Sequence, residues 1–237
     1  MTRRVVERAL IPCVAFAALG MPPEAEAQAQ PVVVAILPFQ DRGSYGQERD
    51  IFRALQLGIP ATIASELSEH RELRLADPAR LRRALGSQEL STLSRLDAAT
   101  AARIGKEVGA RYAITGSFAD FYGKVRLDAR IIDTESGQIL TMVSNDPRQD
   151  NRSELYRIIQ NVGHQVLAVA SPSVMRRSTP ATEDRAIPTE ALVEFSLGLL
   201  AERDGDRGGA TQHYQKALAI YPGYPAAGEA LARVRES

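Results

Sequence analysis

Tryptophan is absent from this chain, and cysteine occurs once, at Cys13 in an apolar amino-terminal stretch. Beyond that stretch, disulfides, thiolate catalysis and cysteine metal sites are excluded. Aromatic residues make up only 5%, which supplies base-stacking platforms and sugar-stacking clefts poorly. A surplus of charge is lacking too: Lys+Arg and Asp+Glu are 29 each, so net charge gives no reason to expect nucleic acid or an anionic membrane surface. There is no Gly-x-Ser-x-Gly, His-Glu-x-x-His, phosphate loop or Gly-x-Gly-x-x-Gly. The three histidines, His70, His164 and His213, fall far apart on different expected helices, where solvent-facing positions are the default. These absences lead us to expect a chain that is not an enzyme, with no catalytic residue, cofactor, metal or small-molecule substrate.

What is present begins with a targeting pattern. Arg3, Arg4 and Arg8 precede an apolar run, Ala9 to Met21, and then Ala25-Glu26-Ala27 and Ala27-Gln28-Ala29. A basic start, a short apolar core and small-x-small sites are the marks of a cleavable signal peptide, here residues 1–29, and the run is too short to span a bilayer. Cys13 follows Leu10-Ile11-Pro12, but Pro12 stands where a lipidation site needs a small residue. The expectation is export to the periplasm, with association at the outer membrane peripheral at most.

The rest is 44% apolar and 24% charged overall, enough for a globular core. Val32 to Phe39 is β-branched and almost wholly apolar, as in a strand buried on both faces, with Pro38 expected to end it and Gln40 to Arg49 expected as a loop. Ile51, Leu55, Ile59, Ile63 and Leu67 recur every four residues, one face of a helix, with a break expected at Gly58 and Pro60. Glu72 to Ala76 reads as a short strand. Asp77-Pro78 and Asp97 each open a helix, and Gly109 closes the second. Arg111 to Phe121, Val125 to Asp133 and Gln138 to Ser144 then predict an antiparallel meander, with Val125, Leu127, Ala129 and Ile131 inward and Arg126, Asp128 and Arg130 outward. Helices are expected on one face, with Ile36, Ile63, Ile104, Ile114, Ile131 and Ile159 buried. Asn151 or Ser153 is expected to cap a long helix with Leu155, Ile158, Ile159, Val162, Val166 and Leu167 inward. Residues 171–188, with three prolines, read as a linker, and 189–237 as purely helical.

Several polar groups invite chemistry but have plainer readings. Asp120, Asp128 and Asp133 fall on neighbouring strands, yet Asp128 alternates outward, where cross-strand charge pairing accounts for it. Asp133 to Gly137 is ordinary turn chemistry. Asn151-Arg152-Ser153 is a formal glycosylation sequon in a capping position, and Arg80 to Arg83 is a solvated helix face.

Residues 31–170 resemble the α/β domain of CsgG-type curli-secretion proteins, the FlgO group and TolB amino-terminal-like domains. Val34 to Phe39 looks like the family's opening strand, Leu57-Gly58-Ile59 like its first helix, and Ile104 to Phe118 followed by Val125 to Gln138 like its central segment. The resemblance implies an α/β fold: a mixed sheet with an antiparallel meander flanked by helices. The long hairpins of pore-forming members have no counterpart, since Phe121 to Val125 leaves room only for a tight turn.

Residues 189–237 resemble a tetratricopeptide (TPR) repeat with a capping helix, on Leu197-Gly198, Gly205-Asp206, Ala210, Tyr214, Ala217-Leu218 and Pro222, spaced as in a unit of about 34 residues. In that family's register Leu192, Phe195, Leu199 and Glu202 fall on the ligand-binding side, as candidate protein-interaction residues. The expected function is a non-enzymatic envelope assembly or interaction factor, with protein partners or a second copy of itself. The alternatives are a subunit of a curli-type secretion channel, disfavoured by the missing hairpins, and a hydrolase or sugar-binding enzyme, disfavoured by the missing nucleophile and acid–base groups.

Overall fold

The computed structural model describes residues 30–46, 48–86, 96–148, 150–172 and 187–236. The expected signal peptide, with Cys13, and most of the expected linker lie outside the described residues. In chain order the elements are β1 (Val32–Asp41), α1 (Arg49–Ser68), β2 (Leu73–Leu75), α2 (Pro78–Leu85), α3 (Ala98–Glu107), β3 (Tyr112–Phe121), β4 (Lys124–Asp133) and β5 (Ile139–Ser144). A 3-10 turn, Arg152–Glu154, leads into α4 (Leu155–Ala170), and a carboxy-terminal helical region follows as α5 (Thr189–Arg203), α6 (Arg207–Ile220) and α7 (Pro225–Glu236).

The strands form one mixed sheet in the order β2-β1-β3-β4-β5. β1 runs parallel to both β2 and β3, and β3-β4-β5 is the antiparallel meander. Pro38 does not end β1. β2 pairs only with Val32 to Val34, so by Pro38 that side of β1 is free and a missing N–H costs no ladder bond. The β1–β3 register shifts between Ile36 and Phe39, absorbing the proline.

Adjacent strand residues face opposite sides of a sheet, and the core divides accordingly. Ile114, Phe118, Leu127 and Ile131 pack with α1 and α4, whereas Ala113 and Ile132 pack with Ala101 and Ile104 of α3. Helices thus cover both faces, not one, because the sheet's apolar residues are two-sided at its start. Ile63, Ile104, Ile114, Ile131 and Ile159 are buried, and Ile36 is half-buried against the same core.

Asp77 and Asp97 cap α2 and α3 by accepting from the N–H of Arg80 (2.7 Å) and Thr100 (2.8 Å). α1 is one helix of 20 residues through Pro60. Asn151 and Ser153 do not cap α4: the 3-10 turn intervenes, and Asn151 makes no capping hydrogen bond. α5 lies along α1, and α6 and α7 pack in turn, with Leu192, Phe195, Tyr214 and Val234 sharing one core with Ile59, Ile63 and Leu155.

Candidate interaction surfaces

Two surfaces gather apolar side chains in the open. The first is the tip of the β3–β4 hairpin. Tyr122 and Gly123 join the strands, both with positive φ (53° and 87°), the left-handed pair that a two-residue hairpin turn demands. Asn or Gly usually fills the first of these positions. Tyr122 is the only non-glycine residue in that region among the described ones, and it is 87% exposed. Tyr45, from the loop after β1, stacks on it at 5.8 Å between ring centroids and meets Phe121 at the same distance.

The base of the tip is fixed by polar bonds. The Asp120 N–H donates to Ser44 Oγ (3.0 Å), which donates to Asp41 Oδ1 (2.7 Å). The Tyr45 N–H donates to the Asp120 carbonyl (2.8 Å). The buried Asp120 carboxylate accepts from the Gly123 N–H (2.7 Å) and faces Arg152 Nη1 at 3.1 Å; that guanidinium also donates to Glu48 (2.6 Å). The Thr189 hydroxyl donates to the Arg152 carbonyl (2.8 Å), so the first residue of α5 braces the same turn.

The second surface is β5, at one edge of the sheet. Ile132 of β4 faces Ile139, but Ile131 faces Thr141, which leaves Leu140 as an extra residue in a bulge. Thr141 and Val143 share the face of Ile131 and Ala129, toward α4, while Ile139 and Met142 share the face of Ile132 and Arg130. Ile139, Leu140 and Met142 are all exposed.

The candidate residues of α5 have partners within their own chain. Leu192 and Phe195 are buried, and the Phe195 ring lies 6.0 Å from that of Tyr214 and 5.1 Å from that of Tyr224. Leu199 is half-buried against the same core. Glu202 accepts from the Tyr214 hydroxyl (2.8 Å) and from Arg233 Nη2 (2.8 Å). Burial alone raises the Glu202 carboxyl, but the bonds from Arg233 and Tyr214 outweigh it and hold it below its ordinary value. The Tyr214 hydroxyl is pushed up by burial and by that carboxylate. The structure therefore brings these four residues onto one side of α5 and fills that side with Tyr214, Tyr224 and Arg233.

The three aspartates do not converge: in the hairpin ladder Asp120 faces Val125, Asp128 faces Ser117 and Asp133 faces Tyr112. Asp128 pairs within its own strand, with Arg126 at 2.9 Å, and accepts from Ser144 across to β5. Asp133 accepts from Arg111 (2.8 Å) and from the N–H groups of Glu135 and Ser136. His213 Nδ1 lies 2.7 Å from Glu194, and no cluster of three metal-ligating side chains occurs among the described residues. No described helix is long and apolar enough to cross a membrane.

Sequence reading missed both exposed surfaces. The signal for the tip was Phe121-Tyr122-Gly123, an aromatic in a turn position that normally takes Asn.

The fold so described is a mixed α/β sheet with a carboxy-terminal helical region. No protein-family model matches the chain, and no curated protein matches it. Among solved structures it is similar to the LpoB C-terminal domain from Escherichia coli (18% identity, 51% of this chain and 84% of that one, TM-score 0.37). It is also similar to lipoprotein GNA1162 from Neisseria meningitidis (14% identity, 57% and 96%, TM-score 0.38) and to the PelC dodecamer from Paraburkholderia phytofirmans (15% identity, 61% and 90%, TM-score 0.34). None of these three is a curli-secretion, flagellar, TolB-like or tetratricopeptide protein by its description.

Proposed function

We propose that this chain is a non-enzymatic protein-interaction or assembly component of the bacterial envelope, exported to the periplasm and at most peripheral to the outer membrane. Its α/β domain would be of the CsgG, FlgO and TolB amino-terminal-like kind, with a TPR-like helical region. The observation that carries the reading is the β5 surface. Ile139, Leu140 and Met142 are three exposed apolar residues on one edge strand, a place where proteins ordinarily set charges. The repeat-like helices cannot offer Leu192 and Phe195 to a partner while those side chains fill the chain's own core, so the edge strand is the better docking surface. A non-enzymatic role is supported by the acidic groups, since Asp120, Asp128 and Asp133 are each engaged by an arginine and by structural donors. The two-residue link between β3 and β4 favours this reading over a secretion-channel subunit, because both strands belong to the domain's own sheet and a barrel-forming insertion there would need a further pair of strands of about 10 residues.

The test is a photo-crosslinking residue at Met142 in the full chain, expressed in a bacterial envelope. Crosslinks to one envelope protein, lost in Leu140→Glu/Ile139→Glu and kept in Tyr122→Ser, are expected. Cytoplasmic fractionation of the chain, or no crosslink above that of a residue placed at Lys216, would sink the proposal.

A further inference from the structure

The hairpin tip raises a separate question, because its geometry differs from that of a docking groove. Among the described residues Tyr45, Phe121 and Tyr122 are the exposed aromatics, and all three stand together. Of the others, Tyr112 and Tyr221 are half-buried and Phe39, Phe52, Phe118, Tyr156, Phe195, Tyr214 and Tyr224 are buried. The tip is open: a β-carbon built on Gly123 or on Gly43 would meet no atom within 4 Å. A peptide ligand needs pockets for its anchoring side chains, whereas these three rings stand exposed. The tip's rings project past the end of the sheet on a two-residue turn.

We propose that this tip inserts its rings into the interface of a phospholipid bilayer, holding the chain against a membrane surface. The chemistry fits. Tyrosine rings with an apolar body and a polar hydroxyl favour the headgroup level of a bilayer, and Tyr122 is the most exposed of the three rings. Arg152 is shared by Asp120 and Glu48, and Asp41 is tied to Ser44, so the base of the tip carries no surplus of positive charge. Lys124, the cross-strand neighbour of Phe121, is exposed at the rim. One cation contributes about 1 kcal/mol at an anionic surface, against the carboxylates at the base, so ring insertion is the main attraction. Arg152, held by both acids and by Thr189, makes the base rigid, so insertion requires no rearrangement of the sheet. The inference does not rest on the protein-docking role of β5.

The chain's lack of tryptophan makes the test clean. Full chain carrying Tyr122→Trp has a single indole at the tip, and a control carrying Ile220→Trp has one on the exposed end of α6. Each is mixed with vesicles of phosphatidylethanolamine and phosphatidylglycerol, with and without brominated acyl chains. The expected result is a blue shift and bromine quenching at position 122 and neither at 220, and loss of both on adding Tyr45→Ser and Phe121→Ser while the far-ultraviolet circular dichroism is unchanged. No shift at 122, an equal shift at 220, or a shift that survives the two serine changes would overturn the proposal. So would a tip that binds a protein and leaves vesicles untouched.

Discussion

Gly58 of α1 and Ser196 of α5 touch at a point where no β-carbon fits: one built on Gly58 would overlap the Ser196 hydroxyl and side-chain carbon. The helical region is thereby seated directly on the backbone of α1. Ser196 stays satisfied by donating to the Leu192 carbonyl (2.7 Å). Replacing Gly58 by Ala should therefore push α5 off α1 and cost about 1–3 kcal/mol, the usual range for overpacking a core. Urea unfolding measures it. Adding Ser196→Gly should recover part of the loss, because the two changes share one contact. Equal losses in the single and double variants would show that the contact is not what limits α1.

Phe195 sits between Tyr214 and Tyr224 in the core. Phe195→Ala should cost about 3–5 kcal/mol and lower the helical signal, whereas Leu199→Ala, at a half-buried position, should cost less. If Phe195→Ala melts like the wild-type chain and loses only a binding partner, Phe195 belongs to an interaction surface and not to the core.

The buried Asp120 carboxylate depends on Arg152 for its counter-charge. Arg152→Ala should destabilise the chain by about 2–3 kcal/mol, below the range for a fully buried pair because part of the Arg152 side chain remains in water. Asp120→Asn should cost less than Arg152→Ala, since it removes the charge that needs a partner. Thermal melts of the two variants decide the order, and the reverse order would refute the account.

Arg111 beside Asp133, with the N–H groups of Ser136 and Glu135, holds that carboxyl well below the usual carboxylate range. A group whose folded pKa is depressed contributes stability that is present above its unfolded pKa and is lost as the pH falls toward the folded value. The wild-type melting temperature should therefore drop more steeply than that of Asp133→Asn as the pH is taken below about 4, where free aspartate protonates. Parallel curves for the two proteins would contradict this.

The residue order alone determined the alternating strand Val125 to Ile131, the helix caps at Asp77 and Asp97, and the helix stripe from Ile51 to Leu67. Each is a local signal, a period of two or of four or a side chain bonded within its own turn, so neighbouring residues suffice to specify it. Pro38 and Pro60 are different: a proline breaks an element only where the lost N–H is needed, and β1 runs on past Pro38 because β2 stops at Leu75. The same holds for function. Leu192, Phe195, Leu199 and Glu202 recur at helical spacing, which identifies a face but not what covers it. Only the packing of α6 and α7 against α5 decided that Tyr214, Tyr224 and Arg233 occupy that face. Likewise only the strand order, with β5 last, left Ile139 and Met142 uncovered, because exposure depends on which segments distant in the chain come to lie alongside.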